Sequence, residues 1–289
     1  MKLGLHLTTF NPADGNIRAG VKQVAQFLDQ NDFYSFSPMD HFFQIGFIGK
    51  PEENMLEGYA LLNYVAAITE KIKLLTMVTG VVYRHPGVLL KTVTTLDVLS
   101  GGRAYLGIGA AWNEEEAHGL GIPFPPLGER FERLEETLQI ARQMWSGEVK
   151  PFTGKYYQLA EPINNPMPVS QPHPPILIGG GGEKKTLRMV AQYADACNLF
   201  LMGDLETPRH KLDVLREHCE RLGRDFNEIE LTGTDHFNPE QQSPAEMIEK
   251  CRRIADLGIT HLIVIVPNPY TLRPLEILAK DVIPAIAEF

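Results

Sequence analysis

Between Ile72 and Trp112 an apolar, β-branched run, an amphipathic stretch and a second apolar run follow one another, and this order constrains the fold more than any other feature of the chain. Leu74 to Val78 reads as a strand stopped by Thr79-Gly80. A helical pattern follows His85-Pro86 (Val88, Leu89, Val93, Leu96, Leu99), and after Ser100-Gly101-Gly102-Arg103 comes the second run, Ala104 to Ile108. Strand, helix and strand in that order predict a parallel pair, and strands apolar on both faces predict a sheet covered by helices. The strand ends carry small residues, Thr79-Gly80 and Gly109-Ala110-Ala111, where a backbone or a planar ligand can approach closely.

The same unit recurs along the chain. Strands are expected near residues 3, 33, 73, 104, 176, 196, 229 and 261, each followed by a helical pattern, among them residues 17–30, 55–70 and 272–287. Eight such units predict an α/β fold, a (β/α)8 TIM barrel forming one domain over residues 1–289. An open, doubly wound sheet is the alternative, because periodicity does not report closure. Residues 113–174 interrupt the rhythm with a short acidic helix, an amphipathic helix over 128–146, a small strand pair near 152–159 and a proline-rich return. They are expected to be an insertion between strands 4 and 5.

The formal net charge of −9, with no cluster of Lys and Arg, argues against nucleic acid and anionic membrane as partners. No apolar run reaches the length of a membrane span, and Lys2 to Leu7 reads as a strand, not as a signal peptide. Three cysteines, Cys197, Cys219 and Cys251, lie in separate segments without a CxxC pair, which predicts reduced thiols and a cytoplasmic protein.

Chemistry concentrates at the expected strand ends. Gly179, Gly180, Gly181 and Gly182 follow a strand and open a helix beside Lys184 and Lys185. Backbone N–H groups, a helix dipole and two cations suit a phosphate, although a plain glycine turn would look similar. The spacing matches neither a P-loop nor a dinucleotide fingerprint. Asp40-His41 ends the second strand, where a histidine can move a proton near neutral pH; a structural Asp-His pair is the alternative. Thr79-Gly80-Val81 has no titrating group, so any role there is geometric, such as supporting one face of a flat ring. Glu114, Glu115 and Glu116 cannot share one helix face and are expected to be solvated. His210 and His218 lack ligand spacing, no H-E-x-x-H occurs, and no metal is expected. Asp235-His236 is a weak substrate-side candidate.

Leu96 to Trp112, Gly121-Ile-Pro-Phe-Pro-Pro with the Arg130-Phe131-Glu132 helix, Phe152-Thr-Gly-Lys-Tyr-Tyr and Pro174-Pro-Ile-Leu-Ile-Gly-Gly-Gly-Gly-Glu occur in one order across most of the chain. With Asp40-His41 and Thr79-Gly80-Val81, they resemble the bacterial luciferase-like monooxygenase superfamily, and within it the members that use the deazaflavin coenzyme F420. The resemblance implies a barrel whose cofactor phosphate meets the glycines after strand five. It implies a non-prolyl cis peptide at Gly80-Val81, cofactor contacts from Gly109, Ala110 and Asn113, and Asp40 near the ring. It further implies a homodimer that moves a hydride between deazaflavin C5 and a small organic substrate, with His41 handling the proton. Sugar-phosphate dehydrogenases of the family carry a glutamate where this chain has Ala110, so a reductase of an unsaturated or carbonyl compound is expected. Three other readings remain: an FMN-dependent monooxygenase fed by a partner reductase, a barrel hydrolase or lyase acting on a phosphorylated substrate, and a non-catalytic flavin-binding protein.

Overall fold

A computed structural model describes residues 1–289. Its strands are β1 (Lys2–Leu7), β2 (Ser35–Pro38), β3 (Lys73–Leu74), β4 (Thr79–Gly80), β5 (Leu106–Gly109), β6 (Phe152–Thr153), β7 (Gln158–Leu159), β8 (Ile176–Gly179), β9 (Ala196–Phe200), β10 (Glu230–His236) and β11 (His261–Ile265). Between them run α1 (Ile17–Gln30), α2 (Gly58–Ala66), α3 (Pro86–Ser100), α4 (Glu114–Gly119), α5 (Leu127–Ser146), α6 (Thr186–Tyr193), α7 (Glu206–Leu222) and α8 (Pro244–Ala255). The chain ends on α9 (Arg273–Ile277), a π-helical turn (Leu278–Val282) and α10 (Ile283–Ile286), where one continuous helix was expected.

Alternation along the strands decides what faces where. Leu3, Leu5 and Leu7 of β1, Leu106 and Ile108 of β5, Ile176 and Ile178 of β8, and Leu262 and Val264 of β11 join the helices in one cluster of 60 buried residues. The opposite face carries Gly4, His6, Gly107, Gly109, Leu177, Gly179 and His261, among which only a four-residue apolar cluster forms: Leu75, Tyr105, Leu177 and Ala196. That inner face is largely polar. Ser35 Oγ bonds His261 Nε2 at 2.9 Å, and Asn198 Nδ2 donates to Thr232 Oγ1 at 2.8 Å.

All nine core strands pair in parallel, in the order β3-β2-β1-β11-β10-β9-β8-β5-β4. The sheet is therefore strongly curled: its two ends, β3 and β4, are successive pieces of one stretch, and Leu74 also bridges to Ala104 beside β5.

The strand expected from Leu74 to Val78 is broken at Leu75–Val78, for a reason visible in the glycines beneath it. A Cβ on Gly107 would lie 2.1 Å from the Thr76 carbonyl oxygen, and Cβ atoms on Gly109 and Gly179 would each lie 3.1 Å from Val78. The stretch crosses the inner face over three positions that have no side chain. The one non-prolyl cis peptide is Met77-Val78, which corrects the expected Gly80-Val81; Val81 is buried in the large cluster, its N–H donating to Gly109 O at 3.0 Å.

The long connection from β5 to β8 contains α4, α5 and the β6–β7 hairpin. Helix α5 buries Leu134, Leu138, Ile140, Ala141, Met144 and Trp145 in the main core, and Trp145 Nε1 donates to Thr94 Oγ1 of α3 at 3.0 Å. The hairpin hangs from α5 through the Glu136 carboxylate, which accepts from the N–H groups of Lys155, Tyr156 and Tyr157.

Candidate active site

The carboxyl ends of β2, β4, β5 and β8 are neighbours in the curled sheet, and they bring most of the expected site residues together. His41 follows β2 and is held from its Nδ1 side by Glu116 Oε1 at 2.5 Å. The other carboxylate oxygen accepts from the N–H groups of Phe42 at 2.7 Å and Phe43 at 3.2 Å, and Tyr83 OH donates to Oε1. Burial would raise the Glu116 carboxyl, but His41, Tyr83 and these N–H groups outweigh it and hold the pKa below the ordinary glutamate value. Burial and the bond to Glu116 push the Tyr83 phenol up, so it stays a donor. An ionised Glu116 accepts a hydrogen bond from Nδ1–H, which leaves His41 Nε2 as the nitrogen free to exchange a proton at the cleft.

This corrects the expectation that all three glutamates are solvated. Glu114 and Glu115 are exposed, whereas Glu116 is fully buried. Three consecutive residues on a helix fan over about 200°, so one of them faces the lip of the sheet.

Asp40 is buried beneath His41 and gripped by both ends of the Arg84 guanidinium, at 2.6 and 2.9 Å. Arg84 also bonds Glu57 and lies over the Tyr59 ring at 4.8 Å. Burial works against the Arg84 charge, but Asp40 and Glu57 outweigh it and keep the guanidinium ionised. Thr79 sits in the same layer, its Oγ1 2.8 Å from both Tyr59 OH and Thr76 Oγ1. Nothing in the isolated Tyr83-Arg84 pair after a strand marks it in the sequence as turned inward, and Tyr59 lies in α2 among apolar residues.

The small residues form a wall. A Cβ on Gly80 would sit 3.0 Å from Ala111 Cβ, and Gly109 lies against Gly179 O and Val78. Ala111 adopts φ +61°, and the carbonyls of Ala110 and Ala111 both accept from Arg130 Nη1, the latter at 2.5 Å. The buried Asn113 stands at the start of α4, yet its side chain makes no capping bond, and the Arg130 Nε is buried without a partner. Small residues beside under-used polar groups are what a flat heteroaromatic cofactor requires, so these residues fit a deazaflavin or flavin ring.

Beyond the wall, Gly180 turns at φ +111° and its N–H donates to Asn198 O at 3.2 Å, leading Gly181 and Gly182 to the start of α6. Lys184 and Lys185 are exposed there, with Lys185 Nζ 5.3 Å from the centre of the Phe131 ring. A cation not expected from the sequence joins them: Lys211 of α7 packs its stem against Gly181 and pairs with Glu183. Asp235 and His236 end β10; Asp235 is buried and paired with Lys250 Nζ at 2.6 Å, so its carboxylate is already engaged.

The model of the luciferase-like monooxygenase family matches residues 1–261. An F420-dependent glucose-6-phosphate dehydrogenase of Kineococcus radiotolerans is 34% identical over 204 residues, 69% of this chain and 58% of that protein. Among solved structures, the coenzyme F420-dependent tetrahydromethanopterin reductase of Methanopyrus kandleri superposes with a TM-score of 0.82 at 17% identity, covering 99% of each chain. The oxygenating constituent of 3,6-diketocamphane monooxygenase from Pseudomonas putida, a type II Baeyer-Villiger monooxygenase in complex with FMN, superposes with a TM-score of 0.75 at 17% identity, covering 98% of each chain. With its family model matched over nine-tenths of its length and the expected motifs gathered at the strand ends, the chain belongs to the luciferase-like monooxygenase family.

Proposed function

We propose that the protein is an F420-dependent oxidoreductase that reduces a small organic substrate, working as a homodimer, in a closed (β/α)8 barrel whose residues 113–174 are an insertion on the β5–β8 connection. The observation that carries this reading is the His41–Glu116 pair at the lip of a glycine-walled cleft, with a glycine loop flanked by lysines after β8, the neighbour of β5. When bound, the deazaflavin supplies a hydride. The chain supplies orientation and proton handling. Gly80, Gly109, Ala110 and Ala111 would hold the face of the ring, Asn113 and the Asp40–Arg84–Thr79 layer its polar groups, and the N–H groups of residues 179–182 with Lys184 and Lys185 the phosphate. His41 Nε2 gives or takes the substrate proton while Glu116 keeps Nδ1 protonated. The kinship with F420-dependent dehydrogenases supports this cofactor over others.

A reduced FMN activating oxygen is the second reading, favoured by the shared fold of the FMN-bound Pseudomonas putida monooxygenase. Titration of the purified protein with F420 and with FMN, followed by cofactor fluorescence, separates the two. The expected result is tighter binding of F420, weakened about tenfold or more when Lys184 and Lys185 are both neutralised, as loss of two phosphate contacts predicts. In the F420-loaded enzyme His41→Gln is expected to lower kcat by at least about 100-fold. Preference for FMN turns the chemistry toward oxygen, and unchanged turnover in His41→Gln removes the proton role.

A further inference from the structure

We infer that the substrate subsite above His41 is built for a flat, uncharged molecule, seated on an aromatic shelf made by Phe47 and Trp112. This rests on the placement of the cofactor proposed above. Phe47 comes from the loop after β2 and Trp112 from the end of β5, so two separate elements deliver the rings to one place. Their planes are 28° apart with centroids at 6.0 Å, and the His41 ring meets Trp112 edge-on at 5.3 Å. Both rings are nonetheless open to solvent, Phe47 at 79% and Trp112 at 57%. Two aromatic side chains brought together and left uncovered beside a proton-transfer group present a surface for a third flat group.

The charges around this shelf favour an uncharged substrate over an anionic one. Of the two guanidiniums at the lip, Arg84 is paired with the Asp40 and Glu57 carboxylates, and Arg130 is buried with its Nη1 turned to the Ala110 and Ala111 carbonyls. The buried carboxylate of Glu116 lies directly behind His41. Lys50, in the loop that carries Phe47, is outnumbered there by Glu52 and Glu53, and the Glu53 carboxylate accepts from the backbone N–H of Lys50 at 3.0 Å. Lys184 and Lys185 stand at the glycine loop after β8, on the phosphate side. The two ring faces themselves offer no hydrogen-bond partner to the hydroxyls of a phosphorylated sugar, whereas a conjugated ring would cover both of them.

The test is calorimetric titration of the protein, with and without F420, using coumarin as the flat uncharged probe and glucose 6-phosphate as the anionic one. Coumarin is expected to bind at least tenfold more tightly than the sugar phosphate. Trp112→Ala and Phe47→Ala are each expected to weaken coumarin at least fivefold, and Trp112→Phe to restore most of the loss, with F420 affinity changed less than twofold in every variant. Tighter binding of glucose 6-phosphate, or coumarin affinity unmoved in both alanine variants, overturns the inference. If F420 fails to bind while coumarin keeps its ring-dependent affinity, the cofactor reading falls and the shelf stands; F420 binding without coumarin binding gives the reverse.

Discussion

Glu116 shows how a single carboxylate can carry both structure and chemistry. It accepts from two ring or phenol donors and two backbone N–H groups while fully buried, so it fastens the start of α4 to the loop after β2 as firmly as it orients His41. Because its folded pKa is depressed, its ionised form adds stability above the ordinary glutamate value of 4.5, and that share is lost as pH falls below it. Glu116→Gln turns one acceptor into a donor facing donors, and hydrogen bonds to a charged group are worth about 1.5–3 kcal/mol each. The variant is expected to be about 2–4 kcal/mol less stable than the parent at pH 7, with the gap narrowing below pH 4.5, as urea unfolding at several pH values will show. Equal stability at pH 7 would mean that the carboxylate is a bystander. His41, Asp40 and the glycines were legible from sequence because each ends an expected strand. Glu116 was hidden by its neighbours: three glutamates in a row look like one solvated patch until the 100° step between them is counted.

At the scale of elements, the repeat of strand and helix was readable and the interruption of one strand was not. Helix α1 spans the expected residues, and His85 and Pro86 start α3 as its cap and first turn. The run Leu74 to Val78, however, is as apolar as any true strand, and its departure from the ladder is written in the partners rather than in the run itself: Gly107, Gly109 and Gly179 face it from β5 and β8. Adding a methyl group at Gly107 would place it 2.1 Å from a backbone oxygen, which cannot rotate away as a side chain could. Gly107→Ala is therefore expected to destabilise the protein by about 3 kcal/mol or more, or to abolish soluble folded protein, because the Thr76 backbone must shift. Gly102→Ala serves as comparison: its φ of +86° brings a strain of about 1 kcal/mol, with no atom closer than 3.5 Å to the new Cβ. Thermal unfolding that ranks the two variants the other way would remove the glycine-floor explanation of the break. Within the segment over 113–174, α5 contributes its apolar face to the same core as the other helices. Its amphipathic pattern was visible; which surface that face would meet was not, since a stripe of Leu, Ile and Trp does not name its partner.

For the molecule as a whole, the outer layer was the legible part and the inner face the hidden part. Apolar runs announce strands packed under helices, but the residues facing the axis are Ser35, Ser37, His6, His261, Asn198, Thr232 and Thr234, which in sequence look like breaks in hydrophobicity. This polar interior has a cost that depends on pH. His6 bonds Ser37 O through Nδ1 at 2.8 Å inside the curled sheet, and burial, with some help from His41 and His236, lowers its pKa from 6.5 to about 4. Burial likewise lowers that of His261, at the amino end of β11, from 6.5 to about 3. Both are neutral in the folded state while the unfolded chain protonates them, so each lends stability above pH 6.5 that is lost as pH falls toward the folded value. Each histidine contributes a slope of up to about 1.4 kcal/mol per pH unit in that window. His261→Asn removes one such group at the end of the sheet remote from His41 and is expected to flatten the acid limb, losing about 2 kcal/mol less than the parent between pH 6 and 4. The fall below pH 4.5 that belongs to Glu116 would remain in this variant; the two windows overlap only below pH 4.5, so the stretch from pH 6 to 4.5 separates His261 from Glu116. Urea midpoints measured along that range decide it: parallel curves for parent and variant would mean that His261 takes up its proton without unfolding, and the inner face would then be far wetter than its burial implies.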